Sequence, residues 1–485
     1  MLKYKLIMRR IFTFILILID IQLNAQSSLL WNTTQDLASS SFGNNHPRIV
    51  MNGTESPVVV WGRDSDASLL CSYWDGTKFS TPLKLNTNIT IATASWMGPD
   101  IAAHGDTIYV VMKQTPENSS NSGIYLSKSF DGGKSFSSLI RVDKIADSLS
   151  RFPTVATDKN GQPIIAFMKF NSNFRESRWV VTKSNDFGKS FSQDIKASNW
   201  FGSEEVCDCC PGTLISDGMN TVLMYRDNNK NIRDSWMALS KDGGNTFINA
   251  CNVDNNRWQI NTCPASGPDA VIVGDTLYSV FMNGASGRAL NYMSKTILSE
   301  AKLVKTSAIQ GPASGLNSQN FPRISAYGNA AAIVWRQDVS NKLQLPILFT
   351  KNIYNGFPTK YDTVDLLDID DADVLVTKDK VFVVWEDFAS RTVKYRVADI
   401  NTITDIQLNQ KPNQIIISPN PASDQIEIHA DEKINELTIT DLKGNVIYQS
   451  QNPEKLISLY GLSSGIYLVY CRMKTGVAMQ KFCKQ

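Results

Sequence analysis

Five of the eight cysteines fall between positions 207 and 263, among them Cys207, Cys209, Cys210 and Cys263. Sulfur this dense either forms disulfides or holds a soft metal ion. No histidine lies close in sequence, since the three are His46, His104 and His429. Disulfides are the expected use outside the cytoplasm, with a thiolate metal site as the alternative. No metal is assigned. A second set is cationic: Arg63, Lys113, Lys169, Arg226 and Arg336 each follow a short apolar run, and Arg48 and Arg323 each follow a proline. A guanidinium fork matches a carboxylate, so a rim of such residues favours an anionic ligand. Arg48, Arg63, Arg226, Arg323 and Arg336 are the expected ligand-binding residues. A third set is the acidic run from Asp365 to Asp373. Within it Asp370 and Asp371 could serve as an acid/base, a calcium site or a solvated loop. Tyr225 stands beside Arg226 but aligns with Trp61 and Trp335, so a core position is expected for it. These three are the only catalytic candidates, and no cofactor other than calcium is suggested.

A repeat must position these residues. Second strands of one pattern end at Trp61, Met112, Met168, Tyr225, Met282, Trp335 and Trp385, spaced 51, 56, 57, 57, 53 and 50 apart. Each unit has room for four short strands, and helical periodicity is absent. Units of this length built from antiparallel strands predict an all-β propeller with one sheet per blade. Seven blades are expected, with six as the alternative. The seventh unit lacks a fourth strand, which Leu29 to Leu37 would supply, removing the open edge. Inner strands begin near Pro47-Arg48, Pro99-Asp100, Pro153-Thr154, Gly212-Thr213, Pro268-Asp269, Pro322-Arg323 and Ala372-Asp373. Those starts and the second-strand ends should ring one mouth of the channel. Around it Asp269, Arg323, Asp373, Arg48 and Asp100 alternate in sign, which suits either a salt-bridge ring or a ligand. Five of the seven second-strand ends are cationic and only Glu386 is acidic, so a net positive annulus is expected.

Three units carry S-x-D-x-G-x-x-F: Ser129 to Phe136, Ser184 to Phe191 and Ser240 to Phe247. Ser72 to Phe79 is a decayed fourth copy. The motif resembles the Asp box, or BNR repeat, of sialidase-like propellers. Asp131, Asp186 and Asp242 are read as turn-forming and not catalytic, because an Asp here bonds turn N–H groups. The resemblance implies an exo-sialidase-like glycoside hydrolase. It would hold the substrate carboxylate with three arginines, attack with a Tyr assisted by a Glu, and use an Asp as acid/base. Here Pro47-Arg48-Ile49 replaces the family's Arg-Ile-Pro order, sialidases have six blades, and no Tyr/Glu pair can be placed. A propeller that binds a glycan or protein without chemistry is therefore kept as the alternative, and a structural surface protein as a third. An assembled arginine trio with a Tyr–Glu pair would favour the enzyme. A cationic rim without a convergent acid would favour the binder, and a mouth closed by salt bridges the structural protein.

From about Gln414 the character changes. Ile417-Ser418-Pro419-Asn420-Pro421, Gln425 to Ile428, Leu437 to Gly444, Leu462 to Val469 and Lys481 to Gln485 follow in order. These blocks resemble the C-terminal sorting domain of type IX secretion cargo from Bacteroidetes. The alternation itself predicts a small β-sandwich. The resemblance implies export through the periplasm and outer membrane, then release or surface attachment, with the secretion machinery as a partner. Residues 1–25 read as a signal peptide: Lys3 to Arg10 are basic, and Ile11 to Ile19 are too short an apolar run to span a bilayer. The expected organisation is 1–25 signal peptide, 26–400 propeller, 401–413 linker and 414–485 sorting domain. No later run is apolar enough to span, and a monomer is expected. The 485-residue chain has a formal net charge of +2, while the leader alone carries +3. No basic field is left, so nucleic acid is excluded as a partner.

Overall fold

The computed structural model describes residues 29–38, 43–144, 148–198, 205–309, 314–366, 368–400, 415–430, 432–442, 445–474 and 476–485. The expected signal peptide at 1–25 and the expected linker at 401–413 lie outside them. The chain divides into two compact units, Met1–Asn401 and Thr402–Gln485.

The first unit contains seven antiparallel sheets, each with four successive positions from inside to outside. They are numbered as blades in chain order. The inner strands are Asn44–Met51, Asp100–His104, Ser148–Thr157, Thr213–Ser216, Asp269–Val273, Leu316–Tyr327 and Ile369–Val376. Each packs against the next, and the seventh packs against the first, so the ring closes. The unit is a seven-bladed β-propeller, as the spacing predicts. Second strands lie between two neighbours within the sheet and between two blades. That position explains their unbroken apolar runs, such as Val58-Val59-Val60-Trp61, all fully buried. Closure of blade 7 mixes the two ends of the unit. Leu29–Trp31 and Gln35–Ala38 both pair antiparallel with Thr392–Ile400, with Leu29 opposite Ile400 and Gln35 opposite Tyr395. The edge expected to be open is thereby covered.

Polar side chains lace neighbouring inner strands together. Asp373 Oδ2 accepts from Ile49 N at 3.0 Å, Asp100 Oδ2 from Val155 N at 3.0 Å, and Asp269 Oδ2 from Ile324 N at 2.9 Å. Thr154 Oγ1 accepts from Leu214 N, and Ser325 Oγ from Val376 N, both at 3.0 Å. Inner strands of adjacent blades cannot share a ladder, so side chains satisfy these buried N–H groups.

The Asp boxes sit at the turns between third and fourth strands of blades 2, 3 and 4. Asp131 Oδ1 accepts from Lys134 N at 3.1 Å and Ser135 N at 2.9 Å, while Ser129 Oγ donates to it at 2.7 Å. Asp186 and Asp242 repeat the pattern. Asp75 in the decayed copy accepts from Thr77 N and Lys78 N, both at 2.8 Å. Gly132 N donates to Asp106 O at 3.0 Å, which places the box on the face where the inner strand turns into the second. That face is opposite the mouth. Partial burial works against the Asp131 carboxylate, but bonds from Ser135, Ser129 and the turn N–H groups hold it down at about 2. Asp131→Ala should therefore cost about 1 kcal/mol, because the freed N–H groups reach water. Chemical denaturation should show this loss, with no change in any activity at the other face.

The second unit is a β-sandwich. One sheet joins Ile415–Ser418, Gln425–Ala430 and Leu456–Ser458; the other joins Val446–Gln451, Glu436–Asp441, Gly465–Met473 and Gly476–Lys484. Ile417, Ile426, Leu437, Val469 and Phe482 fill the space between them.

Candidate functional site at the channel mouth

Irregular inner strands build the mouth. Pairing with the second strand slips between Asn45 and Arg48, Arg151 and Thr154, Asn320 and Arg323, and Ile369 and Ala372. A bulge re-aims side chains and often borders a site. At three of these slips a bulky residue before proline holds a left-handed backbone: His46 (φ 52°), Phe152 (φ 49°) and Phe321 (φ 49°). Each costs on the order of 1 kcal/mol, so the surrounding packing must impose it. All three line a small pocket with a cavity volume of about 60 Å³, together with Arg48, Ser95, Trp96, Asp100, Arg323 and Asp371. Trp96 and Phe152 meet edge to face at 5.7 Å.

Charges in the mouth are organised around Asp371. Arg48 Nη1 donates to its Oδ2 at 2.7 Å, and His46 Nδ1 lies 3.1 Å from the same oxygen. His46 Nδ1 is also 3.1 Å from Ser95 O. The two nearest neighbours of Nδ1 are acceptors and the more distant Arg48 Nη2, at 3.4 Å, is a donor, so the nearer pair favours a proton on Nδ1. Burial and the Arg48 charge lower the His46 pKa, which keeps the ring neutral at pH 7. Burial works against ionisation of Asp371, but Arg48 and His46 outweigh it and hold this carboxyl at about 2. Arg323 Nε is 3.2 Å from Asp373 Oδ1 and 3.5 Å from Asp269 Oδ2.

Glu386, at the end of the second strand of blade 7, has the opposite character. Only 5% of it is exposed. The Ser95 hydroxyl donates to its Oε1 at 3.0 Å, and its Oε2 has no protein partner. Burial, then the charges of Asp370 and Asp371, push this carboxyl up to about 8. A protonated acid thus sits behind Ser95, close to a firmly ionised one.

The structure gathers Arg48, Arg323 and Asp371 in the pocket. Asp370 lies alongside, paired with Arg336, whose guanidinium stacks 5.0 Å from the Phe321 ring. The expected positive annulus does not form, because each rim cation meets its own partner. Arg63 makes a bidentate pair with Asp66 at 2.8 and 2.7 Å, and Lys169 bonds Asp194 at 2.8 Å. Lys113 is buried against Ser122 O and Ser150 Oγ, and burial lowers its ammonium to about 8. Arg226 is 1% exposed and grips three main-chain carbonyls. Tyr225 is fully buried in the cluster that holds Trp179 and Phe170. It does not line the mouth pocket, and burial raises its pKa far above the usual phenol range. Asp370 and Asp371 belong to no set of three converging ligands among the described residues; the set found is Cys207, Cys209 and Cys210. Cys209 is bonded to Cys263, joining the approaches to blades 4 and 5. Sequence reasoning missed His46, Ser95 and the protonated Glu386. Glu386 was visible only as the acid that interrupts a row of cations.

Comparison with known proteins identifies the C-terminal unit. Residues 416–485 match the family model described as a secretion system C-terminal sorting domain. This unit is therefore a type IX sorting domain, and it directs the chain to secretion or to the cell surface. No curated protein matches the chain. Among solved structures, a protein of unknown function from Dyadobacter fermentans is similar at 11% identity, covering 77% of this chain and 99% of that one, with a TM-score of 0.45. The α-L-arabinofuranosidase Arb93A of Fusarium graminearum matches at 10% identity, covering 76% and 97%, TM-score 0.45. The sialidase of Trypanosoma rangeli matches at 11% identity, covering 93% and 87%, TM-score 0.43. At these identities none of them lends its chemistry or residue roles to this chain. No helix among the described residues is long and apolar enough to cross a membrane.

Deleting residues 414–485 should leave the propeller folded, since its core clusters draw on residues 29–400 alone. In a host with the type IX machinery the truncated chain should accumulate in the periplasm. Fractionation and immunoblotting read this out, and truncated protein in the medium or on the surface would contradict it.

Proposed function

We propose that this chain is an exported glycoside hydrolase that works at the channel mouth. The observation that carries the reading is the split carboxyl pair, with Glu386 protonated near neutrality and Asp371 ionised. Glycoside hydrolysis uses one protonated and one ionised carboxyl around the scissile bond. Glu386 is the proton reserve. Ser95 lines the pocket and donates to Glu386 in the resting site; in the reaction its hydroxyl turns to the leaving oxygen, gives up its own proton and takes the Glu386 proton in exchange. Asp371 faces the positive charge that develops on the sugar ring, with its orientation fixed by Arg48 and His46. Trp96 offers an apolar ring face for a sugar to stack on. An acidic sugar would meet Arg48 and Arg323, the two guanidinium groups in the pocket. Both are already bound to aspartates, so an acidic substrate must compete for them.

That pre-pairing supports a second reading, a structural surface propeller whose mouth is closed by salt bridges, because Arg48, Arg323, Arg336 and Asp371 all hold partners of opposite sign. One panel separates the two. The purified chain is offered neutral and acidic aryl glycosides, and the same sugars are tested for binding. The hydrolase reading expects aryl release from at least one class, reduced about 100-fold or more in Asp371→Asn. Neither release nor binding across the panel would replace it with the second reading, and binding without release would leave a glycan binder instead.

A further inference from the structure

Four cysteines meet where blades 4 and 5 approach the mouth, apart from the carboxyl pair. Cys207 and Cys210 are reduced and buried, while Cys209 is bonded to Cys263. The Cys207 Sγ lies 3.2 Å from the Cys210 Sγ and 3.6 Å from the Cys209 Sγ. One sulfur therefore touches both a thiol and a disulfide. Arg233 Nη1 donates to the Cys207 Sγ at 3.0 Å, and Arg226 adds a second nearby cation. Cations around a sulfur favour the thiolate. They also repel a metal ion, which weighs against reading these sulfurs as ligands. The bond from Cys210 lowers the Cys207 thiol; burial opposes it, and the two arginines help bring it to about 6. Burial pushes Cys210 well up. At neutral pH Cys207 is the nucleophile and Cys210 keeps its proton. Cys263, at the far end of the disulfide, is exposed.

We propose that these four residues form a thiol–disulfide exchange centre, with Cys207 as nucleophile, Cys210 as resolving thiol and Cys263 as the exposed sulfur released. The Cys207 thiolate attacks the Cys209 Sγ. A Cys207–Cys209 bond forms, the Cys209–Cys263 bond breaks, and the electron pair leaves on Cys263. Cys210 then loses its proton to solvent, from which Cys263 takes one up. The Cys210 sulfur attacks Cys207, forms the Cys207–Cys210 bond and expels Cys209 as a thiolate. One disulfide and two thiols stand on each side, so no outside oxidant or reductant is consumed. The exchange cuts the covalent tie between blades 4 and 5. Pro211 and Gly212, just after Cys210, and Gly267 and Pro268, just after Cys263, line the pocket. The centre also presents Cys263 as a free thiol to disulfides outside the cell.

The test uses full-length protein purified without reductant. It is incubated with iodoacetamide at pH 7, denatured, and mapped as peptides without reduction. Two thiols per chain are expected over the four positions. Cys263 should be alkylated progressively as Cys207–Cys210 accumulates. Cys207→Ser should slow Cys263 labelling roughly tenfold or more while the Cys209–Cys263 bond remains. Cys210→Ser should instead trap Cys207 bonded to Cys209 with Cys263 labelled, an outcome that a merely misfolded Cys207 variant could not mimic. Four oxidised sulfurs, a stoichiometric metal on Cys207 and Cys210, or Cys263 labelling that ignores Cys207 would each overturn the proposal.

Discussion

Replacing Arg226 by Met should destabilise the propeller more than any other single substitution at the second-strand ends. Its Nη1 donates to Arg233 O at 2.6 Å, its Nη2 to Met282 O at 2.7 Å and its Nε to Ser266 O at 3.2 Å. The guanidinium also lies 5.3 Å from the Trp258 ring. It therefore joins blade 4 to blade 5 through main chain alone. Met fills similar space but donates nothing. Three buried carbonyls would then lose their donor, each at a cost of roughly 1 kcal/mol or more, so a loss of about 3–5 kcal/mol is expected. Removing this cation should also raise the Cys207 thiol, since Arg226 helps hold it down. Urea unfolding of wild type and variant measures the loss. A change under about 1 kcal/mol would mean that Arg226 is free to serve a ligand after all.

Glu386 should make the propeller less stable as pH rises from about 4.5 to about 8. The ordinary value for this carboxyl is 4.5, and in the folded chain it is about 8. Between those limits the native state holds a proton that the unfolded state has released. Stability therefore falls with pH across that window and is level above it. The full effect is of the order of 4–5 kcal/mol, at about 1.4 kcal/mol per pH unit of difference. Other groups titrate nearby. Asp254, raised to about 6, acts in the same direction; His46, lowered, and Cys207, lowered to about 6, act in the opposite one. The informative quantity is thus the difference between wild type and Glu386→Gln. Gln keeps the shape and the Ser95 bond but cannot ionise, so the variant should gain on wild type steadily from pH 5 to pH 8. Denaturation midpoints that stay parallel over this range would contradict the assignment of a buried, protonated Glu386.

The propeller was legible because its signals are local and repeated. Each blade writes its buried second strand as an apolar run, and three Asp boxes mark the same turn. The closing strand was legible too, because blade 7 visibly ends one strand short. The mouth was only half legible. Arg48, Arg323 and Asp371 fall at inner-strand starts, and spacing located those starts. What a charge does there depends on partners hundreds of residues away. Arg48 reaches Asp371 across 323 positions of sequence. Whether Arg226 points into solvent or inward to three carbonyls is a matter of rotamer and packing, which strand periodicity does not encode. Glu386 was hidden for the same reason. Its proton affinity comes from burial against blade 1 and from Asp370 and Asp371, not from any motif. His46 was passed over because a lone histidine before proline carries no pattern.

The most direct test of hydrolysis at the mouth is the pH dependence of turnover, measured for wild type and Glu386→Gln on the best substrate of the glycoside panel. Wild-type turnover should fall on an alkaline limb near pH 8, as Glu386 loses the proton that Ser95 relays. The Gln variant should be slower by about two powers of ten or more and should lack that limb. A variant that keeps both the wild-type rate and the wild-type limb would contradict the account.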